Sequence, residues 1–291
     1  MRSVNEVFGV ASQSELEPRA VAEAGASQPD TLGARGIVDA LLAVPLRAFE
    51  GFGQLLLLTG RTLVWLIRPP YRLSQFIAMM DFVGVQSVFI VSLTGIFSGM
   101  VLSLQMVHSL KQFGAEGSVG SIVAISLARE ISPVFACLMV TARAGSAMAA
   151  ELGNMRVTEQ VDALVTMGVS PVQYLLSPRM LASVLMCPLL CVLYSCVGML
   201  GAWIVAVQWL SIDPGIFVAN IEKYLELDDF LMGEIKSAVF GFLIAAISCR
   251  QGFYASGGAR GVGQATTRAV VQSAVAILIA NYFITNWLTD L

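Results

Sequence analysis

Two uncharged runs, 26 residues long at 82–107 and 33 residues long at 180–212, constrain this chain more than any other feature. A soluble domain needs a polar skin, yet only 13% of the 291 residues are charged and 56% are hydrophobic. The charged share is about half that of an ordinary soluble domain. A helix needs about 20 mostly apolar residues to cross a bilayer, so both runs are long enough, and the longer can tilt or bend at Pro188. Three further segments qualify. Residues 119–142 are apolar except for Arg129 and Glu130, 230–249 except for Glu234 and Lys236, and 269–289 are uncharged. Backbone polar groups in lipid must pair internally, which helices achieve. The expected fold is an all-α membrane protein with five transmembrane helices within residues 73–291.

The N-terminal part reads differently. Residues 1–34 are rich in Ala, Ser, Glu, Gln and Pro without an apolar period, so a disordered tail is expected. Its acids, Glu6, Glu15, Glu17, Glu23 and Asp30, speak against a transit peptide, and no apolar core suggests a cleaved signal. Within 35–72, Ile37, Leu41, Val44, Phe49, Phe52 and Leu56 can share one helical face. Asp39, Arg47, Glu50, Gln54 and Arg61 share another, before Pro69 and Pro70 end the segment. This pattern suits an amphipathic helix lying in the membrane interface, with a first true span as the alternative.

Charge in the connections sets orientation. With a cytoplasmic N-terminus, Arg61, Arg68, Arg72, Arg143, Arg156, Arg179, Arg250, Arg260 and Arg268 fall inside, while only Lys111 and Lys223 fall outside. Asp213, Glu222, Glu226, Asp228 and Asp229 also gather on the outer side. The C-terminus is therefore expected in the periplasm. A net charge of −3 argues against nucleic acid as a partner. Cys137, Cys187, Cys191, Cys196 and Cys249 lack metal-ligand spacing and read as packing residues. His108 is the only histidine, so neither a metal site nor a catalytic site is expected. The glycine-rich run 257–263 lacks the phosphate-binding pattern and its lysine, and reads as a flexible cytoplasmic loop.

Residues 143–179, RAGSAMAAELGNMRVTEQVDALVTMGVSPVQYLLSPR, form the most informative connection. A short helix there would set Val157, Val161 and Leu164 against Glu159, Asp162 and Thr166. Asn154 would cap it and Gly168 would stop it before Pro171. Such a helix is either a grip for a soluble partner or an ordinary surface helix. Arg129 and Glu130, inside a span, either anchor the bundle or line a cavity, because a buried charge in lipid must find a partner or water. Lys236 either snorkels outward or faces the same cavity. Gly95 and Gly99 form a G-x-x-x-G pair, and Ala142, Gly145, Ala149 and Gly153 repeat at helical spacing. They serve either packing within one subunit or dimerisation.

The motifs SLAREISPV, RAGSAMAAELGNMRVTEQVDAL, MGVSP and SPR between Ser126 and Arg179 resemble the MlaE family of permeases. GIFSGMVLSLQ at 95–105, IKSAVFG at 235–241 and GVGQATTRAVVQSA at 261–274 extend the resemblance from about residue 82 to the C-terminus. These are membrane subunits of bacterial ABC systems that move phospholipids between the inner and outer membranes. The resemblance implies a homodimer of five-span subunits in the inner membrane. It implies a cytoplasmic ABC ATPase (MlaF-like), a periplasmic MCE-domain protein (MlaD-like) and often a STAS-domain protein (MlaB-like). ATP would be bound by the partner, so the chain itself would be no enzyme and need no cofactor. By motif match, Arg156, Glu159 and Asp162, with Val157 and Val161, would form the ATPase-coupling segment. Arg129, Glu130 and Lys236 would be the charged groups near the lipid cavity. Phe97, Met100, Val101 and Leu104 of the first span would receive acyl chains. Asn281 stands where some relatives carry an acid. An ion-coupled secondary transporter and a non-transporting scaffold for the MCE protein are the rival functions.

Overall fold

A computed structural model describes Leu73–Thr289, and apart from Gly53 and Gly60 the expected tail and interfacial helix lie outside the described residues. Among the described residues every regular element is helical. Five helical stretches are long and apolar enough to span a bilayer: Leu73–Lys111, Glu116–Val157, Val172–Trp209, Leu227–Phe253 and Gly258–Leu288. Their mean hydropathy in the best window runs from 1.5 to 2.2.

The first span comprises α1 (Leu73–Val83), a short turn, and α2 (Val88–Lys111). The second runs through α3 (Val119–Ser126), α4 (Ser132–Val140) and α5 (Ser146–Val157), joined by π-helical turns at Leu127–Ile131 and Thr141–Gly145. After the short α6 (Gln160–Thr166), the third span is a π turn at Val172–Leu176, then α7 (Ser177–Trp203), then another π turn at Ile204–Trp209. The surface helix α8 (Pro214–Tyr224) precedes α9 (Leu227–Phe253) and α10 (Gly258–Thr289).

Local chemistry explains the boundaries. Asp213 has extended backbone, its carboxylate accepts the Ile216 N–H at 3.0 Å, and Pro214 opens α8 without needing a donor of its own. Glu226 and Asp229 form a reciprocal capping box at the start of α9. Gly168, at φ +74°, ends α6: its N–H reaches the Val165 carbonyl and that of Val169 reaches the Leu164 carbonyl, both at 3.0 Å.

The central helix is α7, packed against α2, α9, α1 and α4. Lipid tails are as apolar as leucine, so helices in a bilayer are held mainly by close packing through small residues. A Cβ on Gly99 would stand 1.8 Å from the Gly198 carbonyl oxygen, so α2 and α7 meet backbone to backbone. The G-x-x-x-G pair therefore serves packing within the subunit. Gly145 and Gly153 likewise face α9 and the segment leading into α10, against Ser248 and Ala255. The opposite face of α2, with Phe89, Leu93, Phe97, Val101 and Leu104, is exposed and apolar, as a lipid-facing surface should be.

Two expectations need correction. The glycine-rich run is no loop: Gly257 and Gly258 turn the chain at positive φ, and α10 begins at Gly258 and absorbs the rest. Gly261 is needed there because a Cβ would lie 1.7 Å from the Ser256 carbonyl oxygen. Asn154 caps nothing, since α5 passes through it to Val157. Both ends of the stretch 143–179 are helical and continuous with the second and third spanning helices. The arginines at its two ends are held by neighbouring groups. Arg143 donates to the Phe82 carbonyl and to Gln86 and stacks 5.0 Å over the Phe82 ring. Arg179 is buried, bonded to the Leu175 carbonyl at 2.7 Å and to Glu151 at 2.8 Å. Four of the five cysteines are buried, and Cys196 is exposed.

Candidate functional site

The charged pair of the second span sits on the π turn Leu127–Ile131. Pro133 causes part of this irregularity: it has no N–H, so the carbonyl of Arg129, four residues earlier, loses its α-helical donor. Lys236 Nζ fills the gap, donating to that carbonyl at 3.0 Å and to Glu130 Oε1 at 2.6 Å. The lysine side chain is 0% exposed, so it does not snorkel; it is spent inside the bundle.

The face of α9 that does this carries Asp229, Gly233 and Lys236, spaced i, i+4, i+7 along one stripe. Gly233 sets the approach, since a Cβ there would lie 2.2 Å from the Ala128 carbonyl oxygen. One turn before it, Asp229 receives Arg129 Nε, while its other oxygen accepts the Glu226 N–H at 3.0 Å and so also caps α9. One turn after it, Lys236 reaches Glu130. Opposite, α10 contributes Asn281 and Thr285, again four residues apart. Asn281 Nδ2 donates to Glu130 Oε2 at 3.0 Å and Thr285 Oγ1 to Glu130 Oε1 at 3.2 Å. Two spans thus converge on a carboxylate carried by a third.

Each ion pair joins a buried partner to a half-exposed one, with Lys236 the buried partner of Glu130. Asp229 is 2% exposed and Arg129 47%, while Glu130 is 41% exposed. Only Nε of Arg129 bonds another side chain among the described residues, which leaves its two terminal amino groups for a ligand. A guanidinium in that state can take a phosphate or carboxylate through two parallel bonds.

Sequence reasoning found Arg129, Glu130 and Lys236, and the structure brings them together. It missed Asp229 and Thr285 as members of the site. The available signal for Asp229 was its distance of seven residues from Lys236 with a glycine between. Phe97, Met100, Val101 and Leu104 lie on α2, where Phe97, Val101 and Leu104 form part of its exposed face, and none of them bonds to the network.

At the other end of the bundle, Arg156 and Asp162 are bonded at 2.6 Å across the corner between α5 and α6. Glu159 turns that corner at φ 60°, a left-handed conformation unusual for a residue with a side chain. Glu159, Asp162 and Val157 are exposed. Val161 is not a surface contact: it is 1% exposed and packs with Leu152, Leu175, Leu176 and Cys249, pinning α6 to the spans. Besides Val157, the corner exposes Val165 and Met167, two apolar residues the expected pattern omitted.

Five spans with an ion-paired network held between them define a multi-pass helical membrane protein. Residues 76–287 match the family described as Permease MlaE. A Rickettsia felis protein named probable ABC transporter permease protein is 44% identical over 221 residues, covering 76% of this chain and 85% of that one. The Haemophilus influenzae intermembrane phospholipid transport system permease protein MlaE is 38% identical over 210 residues, 72% of this chain and 80% of that one. The chloroplastic protein trigalactosyldiacylglycerol 1 of Arabidopsis thaliana is 35% identical over 231 residues, 79% and 66% respectively. The chain belongs to the MlaE permease family and is a membrane permease subunit.

Proposed function

We propose that the chain is the phospholipid-translocating subunit of an ABC transporter in a bacterial inner membrane, working as a homodimer with a cytoplasmic ATPase and a periplasmic MCE-domain protein, a STAS-domain protein joining the ATPase in some systems. The observation that carries this reading is the convergence of Arg129, Glu130, Lys236 and Asp229 within an apolar bundle. A phospholipid has a charged head and two alkyl tails, so its path needs a few polar groups beside an apolar wall. The half-exposed Arg129 offers its free amino groups to a phosphate, while the buried Lys236 holds Glu130 in place. The relative from Haemophilus influenzae is named for phospholipid transport, which supports the same substrate class.

The corner formed by Arg156, Glu159 and Asp162, with exposed Val157, Val165 and Met167, supports docking of the ATPase at that end. The arginine bias in the connections supports a cytoplasmic position for this corner. The test is reconstitution of the full complex in vesicles carrying a fluorescent phospholipid, with acceptor vesicles outside. ATP-dependent transfer is expected, and Glu159→Lys should weaken ATPase co-purification while the chain still inserts. Transfer that continues without any ATPase would favour an ion-coupled transporter instead. Undiminished activity after alanine replacement of the network would favour a scaffold.

A further inference from the structure

An apolar cavity lies beside the network. It opens between α3, α7, α8 and the start of α9, and its volume of about 530 Å³ is well inside the ~300–1,000 Å³ range of small-molecule sites. None of its lining residues is charged, and Ser195 supplies the only hydroxyl. The space exists because Ala124, Ala128 and Ser195 put small side chains on the buried wall. Phe217 and Ile221 of α8 close it from the side. Its rim is Cys196 and Leu200, both exposed.

Those rim residues continue a stripe along α7. Leu185, Leu189, Val192, Cys196 and Leu200 are all exposed and spaced three or four apart, so one apolar face runs along the span into the cavity mouth. The other end of the cavity is marked by charge. Ala128 and Phe230 line it, and they are the sequence neighbours of Arg129 and Asp229, the two partners of the first ion pair. A lining with no charge and one hydroxyl rejects a polar ligand, which would lose its hydration without compensation. The medium outside the stripe is alkyl chains, and a void there costs its walls their dispersion contacts until a chain enters.

We infer that this cavity holds one alkyl chain of a membrane phospholipid, entering along the α7 stripe with its anionic head beside the Arg129–Asp229 pair. The inference deepens the phospholipid reading by giving one tail a seat within a single protomer. Residents of this seat are distinct from lipid that merely coats the spans, because Phe217 is buried and a coating lipid does not reach it.

The experiment uses the full-length complex in vesicles containing a diacyl phospholipid with a photoreactive diazirine at one chain end. After illumination, adducts are mapped by peptide mass spectrometry. Adducts on Phe217 and Ile221 are expected, alongside coating-lipid adducts on exposed Phe89. Ser195→Phe or, independently, Cys196→Trp should reduce the Phe217 adduct about tenfold while leaving the Phe89 adduct unchanged. Adducts confined to exposed residues, or a Phe217 adduct that both variants leave intact, would overturn the inference. A diazirine fatty acid supplied at the same mole fraction is the second arm; equal or stronger labelling by it would assign the seat to free fatty acid and refute the phospholipid. ATP-driven transfer is measured on the same vesicles. Transfer without cavity labelling removes the seat and leaves the proposed function standing; cavity labelling without transfer does the reverse.

Discussion

Replacing Glu130 by alanine is the perturbation whose cost the structure predicts most sharply. Lys236 is fully buried, and its ammonium has two acceptors, the Glu130 carboxylate and the Arg129 carbonyl. Glu130→Ala removes the anion and also strips Asn281 Nδ2 and Thr285 Oγ1 of the acceptor they share. Breaking a buried pair from one side costs about 3–5 kcal/mol, because the remaining charge stays uncompensated. For a chain of this size, 1 kcal/mol moves the melting midpoint by about 2–4 °C, so the expected drop is roughly 6–20 °C. Lys236→Met should cost less, since the Glu130 it leaves behind is 41% exposed and keeps two donors. The double variant Glu130→Ala/Lys236→Met leaves no buried charge unpaired and should recover most of the loss. The assay is thermal unfolding of the purified protein in detergent, read by fluorescence-detected size exclusion. A Glu130→Ala shift of only a degree or two, or a double variant no better than Glu130→Ala, would refute the reasoning.

Other perturbations follow from single contacts. Gly233→Ala drives a Cβ into the Ala128 carbonyl oxygen, so α9 must move off the π turn; overpacking of about 1–3 kcal/mol should appear as lower thermal stability together with lost lipid transfer. Gly99→Leu should impair folding more severely, measured as loss of the monodisperse species, because α2 and α7 touch through backbone there. Glu159→Gly should raise thermal stability by about 1 kcal/mol by removing the left-handed strain; an unchanged midpoint would show that φ 60° is unstrained. Arg156→Ala breaks a pair whose partners are both substantially exposed, so stability should change by less than about 1 kcal/mol while ATPase affinity falls in a pull-down titration.

The number of spans was legible because lipid tolerates so few alternatives: an uncharged run of 26 or 33 residues has little else to become. Span ends were harder. Arg143, Glu151, Arg156 and Arg179 broke the apolar pattern, yet Arg143 and Arg179 are held by carbonyls and by side chains on neighbouring elements, so the helices run on past them. Composition also misled at Gly257–Gly258, where positive φ is used once to turn the chain and the following glycines are helical for reasons of close contact. At the site, Arg129, Glu130 and Lys236 stood out as charges within spans. Asp229 did not, because Glu226 and Asp228 beside it made the stretch look like an acidic loop. Its membership depends on a helix starting at Leu227, which the capping box fixes and hydropathy does not. Thr285 carries no sequence signal at all, since a hydroxyl in a span usually bonds its own backbone.

If the convergent charges of one protomer serve a phospholipid, the purified complex should carry one that depends on Arg129. The most direct measurement is native mass spectrometry of the complex purified from its membrane, comparing the unaltered chain with Arg129→Ala. Diacyl phospholipid should be retained by the former and largely lost from the latter, with the subunits still assembled. A complex that carries no phospholipid, or carries as much after Arg129→Ala, would contradict the account.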